Sequence, residues 1–306
     1  MLKIIMYHYV RPIKGSLYPK IRGLELDNFI RQLHFFKKNF NIITAEDLID
    51  AVNTEKSLPS NSCLLTFDDG YKDNIDYVVP ELLKLNLQGI FFPSAKAVLK
   101  REMLDVNKLH FILASVEDVK PLIREMEEAA ISYGYDRNLL EGLRKKYFKE
   151  SRFDSKNITY FKRMLQTGLD LSTRSKISSI LFKKYVGIEE SEFASELYLS
   201  IKDLKEMKSN GMFIGSHGYN HIRLANVNKK EQEIEIDLSL DLLTKIGVSL
   251  DNWIMCYPYG SYDKSTKEIL ASKKCALALT TNVGSVNLAN ADIYALNRFD
   301  TNDFPQ

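Results

Sequence analysis

The chain has 306 residues, of which 45% are hydrophobic and 27% are charged, the composition of an ordinary soluble globular enzyme. The length suits one large domain or two small ones, and the composition excludes wholesale disorder and collagen-like or coiled-coil architectures. The chain has 42 Lys and Arg residues and 40 Asp and Glu residues, so its formal net charge is only +2. Charge therefore gives no argument for a nucleic-acid partner or for an anionic membrane.

The cysteines and the N-terminal segment bear on the compartment. Cys63, Cys256 and Cys275 form no C-x-x-C pair, which argues against a disulfide framework and against a thiolate zinc site. The opening segment MLKIIMYHYVRP is interrupted by His8 and lacks a small-residue cleavage site, so it predicts a buried strand rather than a signal peptide. No stretch approaches the roughly 20 apolar residues that cross a bilayer. We therefore expect a cytoplasmic protein without a transmembrane segment.

The first hundred residues alternate between strand and helix patterns. Strands are predicted at 2–9, 63–67 and 89–92, with a short extended piece at 42–43. Helices are predicted at 27–38, with Asp27 as N-cap, at 44–52, with Thr44 as cap, and at 77–85. The run CLLTF at 63–67 is continuously apolar, as in a parallel strand buried on both faces. This alternation predicts an α/β fold with a parallel sheet that can close into a barrel.

The pattern changes between residues 99 and 195, where Lys, Glu, Leu and Phe recur at helical spacing. The strand–helix alternation then resumes, with helices predicted at 201–209, 229–246 and 265–273 and strands at 212–215, 253–256 and 276–280. We therefore predict one α/β domain made of residues 1–98 and 196–306, and a helical insertion subdomain at 99–195. We expect the insertion to cover one side of the substrate groove or to form a dimer interface.

Two adjacent carboxylates, Asp68 and Asp69, follow the predicted buried strand in the segment TFDDG. Buried carboxylates are costly unless something compensates them, and a metal ion would do so. Because alternate strand residues face opposite ways, one carboxylate could bind a metal while the other exchanges a proton. The alternative is a simple turn, since Asp-Gly is a common turn sequence.

A second segment, SHGYNH, follows the predicted strand at 212–215 and places His217 and His221 four residues apart. We expect the two histidines on one face of a helical turn, close enough to share one metal ion. The alternative is a surface turn with two unrelated histidines. A third segment, CYPYG at 256–260, places a proline–glycine turn directly after a strand. Such a turn often does no more than end a strand. Beside a metal, however, it can direct a backbone N–H towards a developing oxyanion.

Together the three segments resemble those of the polysaccharide deacetylases, carbohydrate esterase family four, over residues 1–98 and 196–306. The resemblance implies a distorted (β/α) barrel that carries a largely helical insertion. It implies that Asp68 is the general base and that Asp69, His217 and His221 hold a divalent metal. Zinc is the first choice, and Co²⁺, Ni²⁺ and Mn²⁺ are the alternatives. By the same resemblance, the backbone N–H of Tyr259 stabilises the oxyanion.

Two features depart from the family pattern. The late Leu-x-His segment that often supplies the general acid is absent, because no histidine follows His221. The arginine that usually precedes the aromatic-Pro segment is absent as well. His8 in MYHYV resembles an early histidine that replaces the acid in some subgroups, and Arg298 in ALNRFD resembles an arginine that orients the base aspartate. The alternatives are a structural strand-end histidine and a surface arginine.

The resemblance and the expected compartment together give a functional hypothesis. It is a metal-dependent hydrolase that removes an N-acyl group, most simply acetyl, from an amino sugar. The expected substrate is a nucleotide-linked or lipid-linked sugar, or a short glycan, used in surface polysaccharide biosynthesis. Two alternatives stay open: another metal-dependent C–N hydrolase, such as a sugar deformylase or ureide hydrolase, and a catalytically degenerate glycan-binding protein.

Overall fold

The computed structural model of the chain describes residues 1–54 and 56–305. The chain divides into two compact units: Met1–Pro12, Gly23–Glu102 and Ser195–Gln306 form the first, and Ile13–Arg22 and Met103–Ala194 form the second. Residues 13–22 thus belong with the helical unit, and residues 99–102 and 195 with the first unit, whereas the predicted insertion runs from 99 to 195. The reason is local packing that the sequence pattern does not show: the Tyr18 ring packs edge-on against Phe111, with ring centroids 5.0 Å apart.

The first unit contains all the strands of the described chain. They are β1 (Lys3–Tyr7), β2 (Val10–Arg11), β3 (Leu24–Glu25), β4 (Asn41–Ile42), β5 (Ser62–Asp69), β6 (Ile90–Pro93), β7 (Phe213–Ile214), β8 (Trp253–Cys256), β9 (Cys275–Leu279) and β10 (Phe299–Asp300). Its helices are α1 (Leu26–Asn39), α2 (Ala45–Thr54), α3 (Val79–Lys84), α4 (Ala95–Lys100), α11 (Ile201–Ser209), α12 (Lys229–Lys245) and α13 (Lys264–Ser272). Three turns of 3₁₀-helix lie at Leu224–Asn226, Pro258–Gly260 and Thr301–Asp303, and a π-helical turn at Asn74–Val78 precedes α3.

The main sheet is parallel and runs in the order β10–β1–β5–β6–β7, with β4 also paired to β5. Strands β8 and β9 form a second parallel pair. A parallel bridge between Ser216 and Met255 joins the end of the main sheet to β8, and another joins Leu279 in β9 to Leu296, just before β10. These contacts close the strands into the distorted (β/α) barrel that the sequence predicted.

Alternate strand residues build two different layers of core. One cluster collects every second residue from neighbouring strands and fills the barrel: Ile4, Leu64, Ile90, Phe92, Ile254, Leu277 and Leu279. The other cluster lies between the strands and the surrounding helices and contains Ile5, Leu65, Phe67 and Phe91 with residues of α1, α3 and α12. Every residue of β5 is buried, as the apolar run CLLTF predicts for a parallel strand covered on both faces.

Most helices begin near the predicted residues, but one cap differs. Thr44 and Asp47 exchange hydrogen bonds at the start of α2, as in a capping box. Helix α1 instead begins after Glu25, and Asp27 lies in its first turn, so the predicted Asp27 cap was wrong. Asp27 is displaced because the short strand β3 leads directly into the helix at Leu26. An acidic residue in the first turn still interacts favourably with the helix dipole.

The second unit is helical. Its helices are α5 (Asp105–Ala114), α6 (Lys120–Ser132), α7 (Arg137–Tyr147), α8 (Lys156–Arg163), α9 (Leu171–Tyr185) and α10 (Glu190–Leu197), the last of which ends in the first unit. A π-helical turn at Met164–Gly168 continues α8. Among residues 1–54 and 56–305, no helix combines the length and the hydropathy that spanning a bilayer requires.

Candidate metal centre and active site

Strand β5 continues through both carboxylates of the TFDDG segment. Asp68 and Asp69 are only 2% and 4% exposed, so the simple surface turn does not describe them. The backbone of Asp69 adopts the left-handed conformation, with φ = 70°, and ends the extended strand there. The two side chains consequently face different partners, an arginine for Asp68 and two histidines for Asp69.

Asp68 forms a buried, two-pronged ion pair with Arg298. The Arg298 Nη1 and Nη2 groups donate to the two carboxylate oxygens at 2.8 and 2.7 Å, and its Nε donates to the Thr280 carbonyl at 2.8 Å. Burial by itself raises the pKa of Asp68, but the charge and hydrogen bonds of Arg298 outweigh it and lower the pKa. Asp68 is therefore held ionised and in one orientation, as a proton acceptor requires.

Two further groups approach the same carboxylate. The Cys256 thiol lies 3.5 Å from both Asp68 oxygens, and burial raises its pKa, so it stays protonated and faces the carboxylate as a weak donor. His8 follows β1 and places its Nε2 3.9 Å from Asp68 Oδ2. The His8 side chain is 42% exposed, whereas that of Asp68 is 2% exposed. His8 thus lies between the buried carboxylate and solvent.

Asp69 forms a compact triad with His217 and His221. The Nε2 atoms of His217 and His221 lie 3.4 and 3.2 Å from Asp69 Oδ1, and all three side chains are buried. Burial raises the pKa of Asp69, but the two imidazoles outweigh that effect and hold it well below its ordinary value. The structure therefore brings together the three residues predicted as metal ligands.

The two histidines are not on a helical turn, so that part of the prediction was wrong. Residues 217–223 form an irregular loop, because Gly218 and His221 both take the left-handed conformation, with φ of 72° and 55°. Glu235 in α12 anchors the loop by accepting hydrogen bonds from the backbone and the side chain of Asn220. The two rings nevertheless converge, with their centroids 4.9 Å apart.

The donor chemistry of this triad fits a divalent cation. The His217 Nδ1 lies 2.8 Å from the Cys256 carbonyl, which can only accept, so Nδ1 carries a proton and Nε2 is the nitrogen left to bind a metal. Asp69 Oδ1 is buried and has no hydrogen-bond partner among the described residues. Two imidazole nitrogens and one carboxylate oxygen that converge in a buried site are donor atoms that suit a divalent cation. Two histidines and one carboxylate also form a known ligand set of catalytic zinc.

A second group of potential ligands, Asp68, His217 and Cys256, overlaps the first. It fits a metal less well for two reasons. Both oxygens of Asp68 already accept hydrogen bonds from Arg298, and the buried Cys256 thiol has a raised pKa, whereas a metal binds the thiolate. The geometry therefore favours Asp69 as the carboxylate ligand and leaves Asp68 outside the ligand set.

Tyr259 lies at the rim of the triad. It has φ = 58° inside the short turn Pro258–Gly260, and its ring packs against His221, with centroids 4.8 Å apart. The guanidinium of Arg223 also packs on the Tyr259 ring, 4.3 Å from the centre of the ring. The role of the Tyr259 N–H in holding an oxyanion stays a prediction.

Sequence reasoning missed three residues that contact the predicted ones. Tyr71 donates its hydroxyl proton to Asp69 Oδ2, Cys256 contacts both Asp68 and His217, and Arg223 packs on Tyr259. Tyr71 directly follows the TFDDG segment, and Cys256 is the first residue of the CYPYG segment. Their side-chain types alone do not reveal these contacts. His34 and His110 were assigned no role, and neither appears in a potential ligand group of the described residues.

The buried pair predicts a measurable coupling between Asp68 and Arg298. Arg298→Met should lower the free energy of unfolding by about 3–5 kcal/mol, because it leaves a buried carboxylate without its partner. Adding Asp68→Asn should recover part of that loss, since the uncompensated charge is then removed. Urea unfolding in the presence of a chelator measures both effects without a contribution from bound metal.

The matched control for this cycle is Arg31→Met, which removes an exposed arginine from α1 and should change stability by no more than about 0.5 kcal/mol. Additive losses from Asp68→Asn and Arg298→Met would contradict the pairing.

Comparisons with known proteins agree with this geometry. A family model described as polysaccharide deacetylase matches residues 157–278, which include His217, His221 and Tyr259 but not Asp68 or Asp69. No curated protein matches the chain at the significance required. Three solved structures share the fold: the Streptococcus pyogenes deacetylase PplD in complex with acetate (18% identity, TM-score 0.61), IcaB from Ammonifex degensii (16%, 0.57) and a de-N-acetylase from Aggregatibacter actinomycetemcomitans (14%, 0.56).

The structural matches extend over nearly all of each protein. They cover 98%, 97% and 97% of this chain and 91%, 90% and 93% of the respective solved chains. At identities below 20%, they establish a common fold. The family-model match at 157–278 agrees with the resemblance of the three segments to the polysaccharide deacetylases.

Proposed function

We propose that this protein is a metal-dependent hydrolase that removes an N-acyl group, most simply acetyl, from an amino sugar. The observation that carries the proposal is that the adjacent carboxylates of Asp68 and Asp69 contact different partners. Asp69 Oδ1 faces two imidazole nitrogens at 3.4 and 3.2 Å, while Arg298 holds Asp68 beside them and outside that set. In this proposal, Asp69 binds the cation and Asp68 accepts the proton.

Asp69, His217 and His221 would hold the cation, with zinc as the first choice and Co²⁺, Ni²⁺ or Mn²⁺ as alternatives. Three protein ligands leave a coordination position open, as in catalytic rather than structural zinc sites. When bound, such a cation lowers the pKa of a water molecule and polarises an acyl carbonyl. The chain's own residues then have to move protons and hold the developing charge.

Asp68 is the proton acceptor in this proposal. Arg298 keeps both of its oxygens oriented, and the lowered pKa of Asp68 keeps the carboxylate ionised at neutral pH. Each carboxylate oxygen retains a second lone pair beyond the bond from Arg298, so Asp68 can still accept a proton from the attacking water. The backbone N–H of Tyr259, in the turn against His221, would donate to the oxyanion of the tetrahedral intermediate.

His8 is the proton donor in this proposal. Amide hydrolysis expels an amine, which leaves poorly unless its nitrogen is protonated. His8 lies 3.9 Å from Asp68 Oδ2, and its ring is partly exposed to solvent. A histidine at this distance from the base supports transfer of a proton to the departing sugar amine within the same site.

For the substrate, we propose an amino sugar linked to a nucleotide or a lipid through phosphate, processed in the cytoplasm during surface polysaccharide biosynthesis. Arg223 supports an anionic substrate, because its guanidinium lies over the Tyr259 ring next to the ligand His221. A guanidinium carries a fixed positive charge and binds phosphate through its N–H groups. The three buried, unbridged cysteines are compatible with a reducing compartment. A formyl group would be handled by the same chemistry as acetyl.

Asp68→Asn should separate proton transfer from metal binding. The variant should keep one equivalent of bound metal, because Asp68 is not a ligand, and should lose about 10²–10⁴-fold in kcat. His217→Ala should lose the metal itself. Metal content by atomic emission and acetate release from an N-acetylated amino sugar check the two quantities on the same samples.

Treatment with a chelator should abolish wild-type turnover, and added Zn²⁺ or Co²⁺ should restore it. Wild-type activity in Asp68→Asn would remove Asp68 as the base. Purified wild-type protein that binds no divalent metal would refute the proposed function.

His8→Gln should discriminate between leaving groups. Hydrolysis of an N-acetyl amide should fall by about 10²-fold or more, since the amine then lacks its proton donor. Hydrolysis of an aryl acetate should fall much less, because a phenolate leaves without protonation. Steady-state rates on the two substrates give the ratio. The same loss on both would show that His8 acts through structure rather than as the acid.

A substrate screen tests the proposed chemical class. Nucleotide-linked, lipid-linked and neutral N-acylated amino sugars should be compared by mass spectrometry of the released acid. Arg223→Met should raise KM for phosphate-bearing substrates by about tenfold and leave KM for neutral ones unchanged, as expected for a lost charged hydrogen bond. Equal effects on both classes, or preference of the wild type for neutral oligosaccharides, would overturn the carrier-linked substrate.

A further inference from the structure

The carboxylate of Asp69 is used asymmetrically. Its Oδ1 faces the two histidines and has no hydrogen-bond partner among the described residues, whereas its Oδ2 accepts a hydrogen bond from the Tyr71 hydroxyl. Tyr71 is completely buried, and its ring is two residues along the chain from the carboxylate that it contacts. Oδ1 therefore faces the two histidines, while the hydrogen bond from Tyr71 keeps Oδ2 turned away from them.

The Tyr71 ring stacks with two other tyrosine rings. It stacks on Tyr9, with centroids 4.0 Å apart and planes 17° apart, and on Tyr198, at 6.3 Å and 15°. All three rings are buried. Such a stack restricts the ring to one orientation, so the hydroxyl is aimed at Asp69 without a further loss of side-chain entropy when a ligand binds.

The backbone of Tyr71 is also fixed. Residues 70–72 pair with residues 197–199: the Leu199 N–H donates to the Gly70 carbonyl at 3.0 Å, and the Lys72 N–H donates to the Leu197 carbonyl at 2.8 Å. Gly70 has φ = 73°, and a Cβ there would lie 2.6 Å from Pro93 Cβ, so the turn that places Tyr71 after Asp69 is tightly constrained. The position of the hydroxyl is thus set by the first unit itself.

We propose that Tyr71 is a positioning residue that makes Asp69 a one-oxygen metal ligand and thereby sets the affinity and the preference of the site for the cation. This inference rests on the proposed metal site. A carboxylate bound through one oxygen keeps the coordination number low, which suits zinc with an open position. A carboxylate free to turn can bind through both oxygens, as larger oxygen-preferring cations allow. Groups that hold a ligand in this way typically contribute 10–100-fold to metal affinity.

Tyr71→Phe tests the inference, because it removes one oxygen and leaves the stacked ring. The affinity for Zn²⁺, measured by competition with a chromogenic chelator, should fall about 10- to 100-fold. The visible absorption of the Co²⁺-loaded protein should weaken, since this absorption decreases as the coordination number rises. Neither readout depends on turnover.

Tyr7→Phe is the matched control. Tyr7 is also completely buried, and its hydroxyl makes no hydrogen bond to any residue that the structure describes. It should therefore keep wild-type Zn²⁺ affinity and Co²⁺ absorption. Tyr198→Leu is a second variant, which keeps the Tyr71 hydroxyl but removes one face of the stack, and its affinity should fall by less than that of Tyr71→Phe.

The outcomes are distinguishable. Unchanged affinity and absorption in Tyr71→Phe would overturn the inference, as would equal losses in Tyr71→Phe and Tyr7→Phe. Should Tyr71→Phe fail to fold by circular dichroism, wild-type affinity in Tyr198→Leu would overturn it instead. Failure of the wild type to bind either metal would refute the proposed function rather than the role of Tyr71.

Discussion

The site depends on two neighbouring carboxylates at the buried end of β5. Two adjacent anions in a low-dielectric interior are costly, and each needs its own compensation. The left-handed backbone at Asp69 ends the strand and directs that side chain to the two imidazoles, while Asp68 meets the Arg298 guanidinium. The same separation that makes burial tolerable also keeps the proposed proton acceptor apart from the proposed metal ligands. Electrostatic stability and the proposed function therefore favour the same arrangement.

Backbone strain is concentrated around this arrangement. Asp69, His221 and Tyr259 all have positive φ, of 70°, 55° and 58°, although none is a glycine. Such conformations cost roughly 1 kcal/mol or more each and persist only where the surrounding structure imposes them. Next to Tyr259, Gly260 lies against Thr281 so closely that a Cβ would be 2.3 Å from its Oγ1. The barrel thus supplies the stability that holds three strained residues at one site.

Much of the fold could be predicted because its signals are local. The strand at Trp253–Cys256 and the helix at Ile201–Ser209 have the predicted bounds, since each is delimited by its apolar pattern and by turn residues. The cap at Asp27 and the helical turn at His217 and His221 could not be predicted, because tertiary contacts decide them. The spacing of the two histidines does not show that Gly218 and His221 have positive φ angles. It also does not show that Glu235 of α12 anchors the loop.

The two ends of the chain reach the site through the register of parallel strands. Strand β1 lies between β5 and β10, with Tyr7 opposite Phe67 and Ile5 opposite Phe299. The residue after Tyr7 is therefore carried beside the residue after Phe67, which places His8 near Asp68. Arg298, directly before Phe299, enters from the other neighbour of β1 and reaches the same carboxylate. Residues 290 positions apart thus meet at one carboxylate because of strand order, and sequence proximity contributes nothing to that contact.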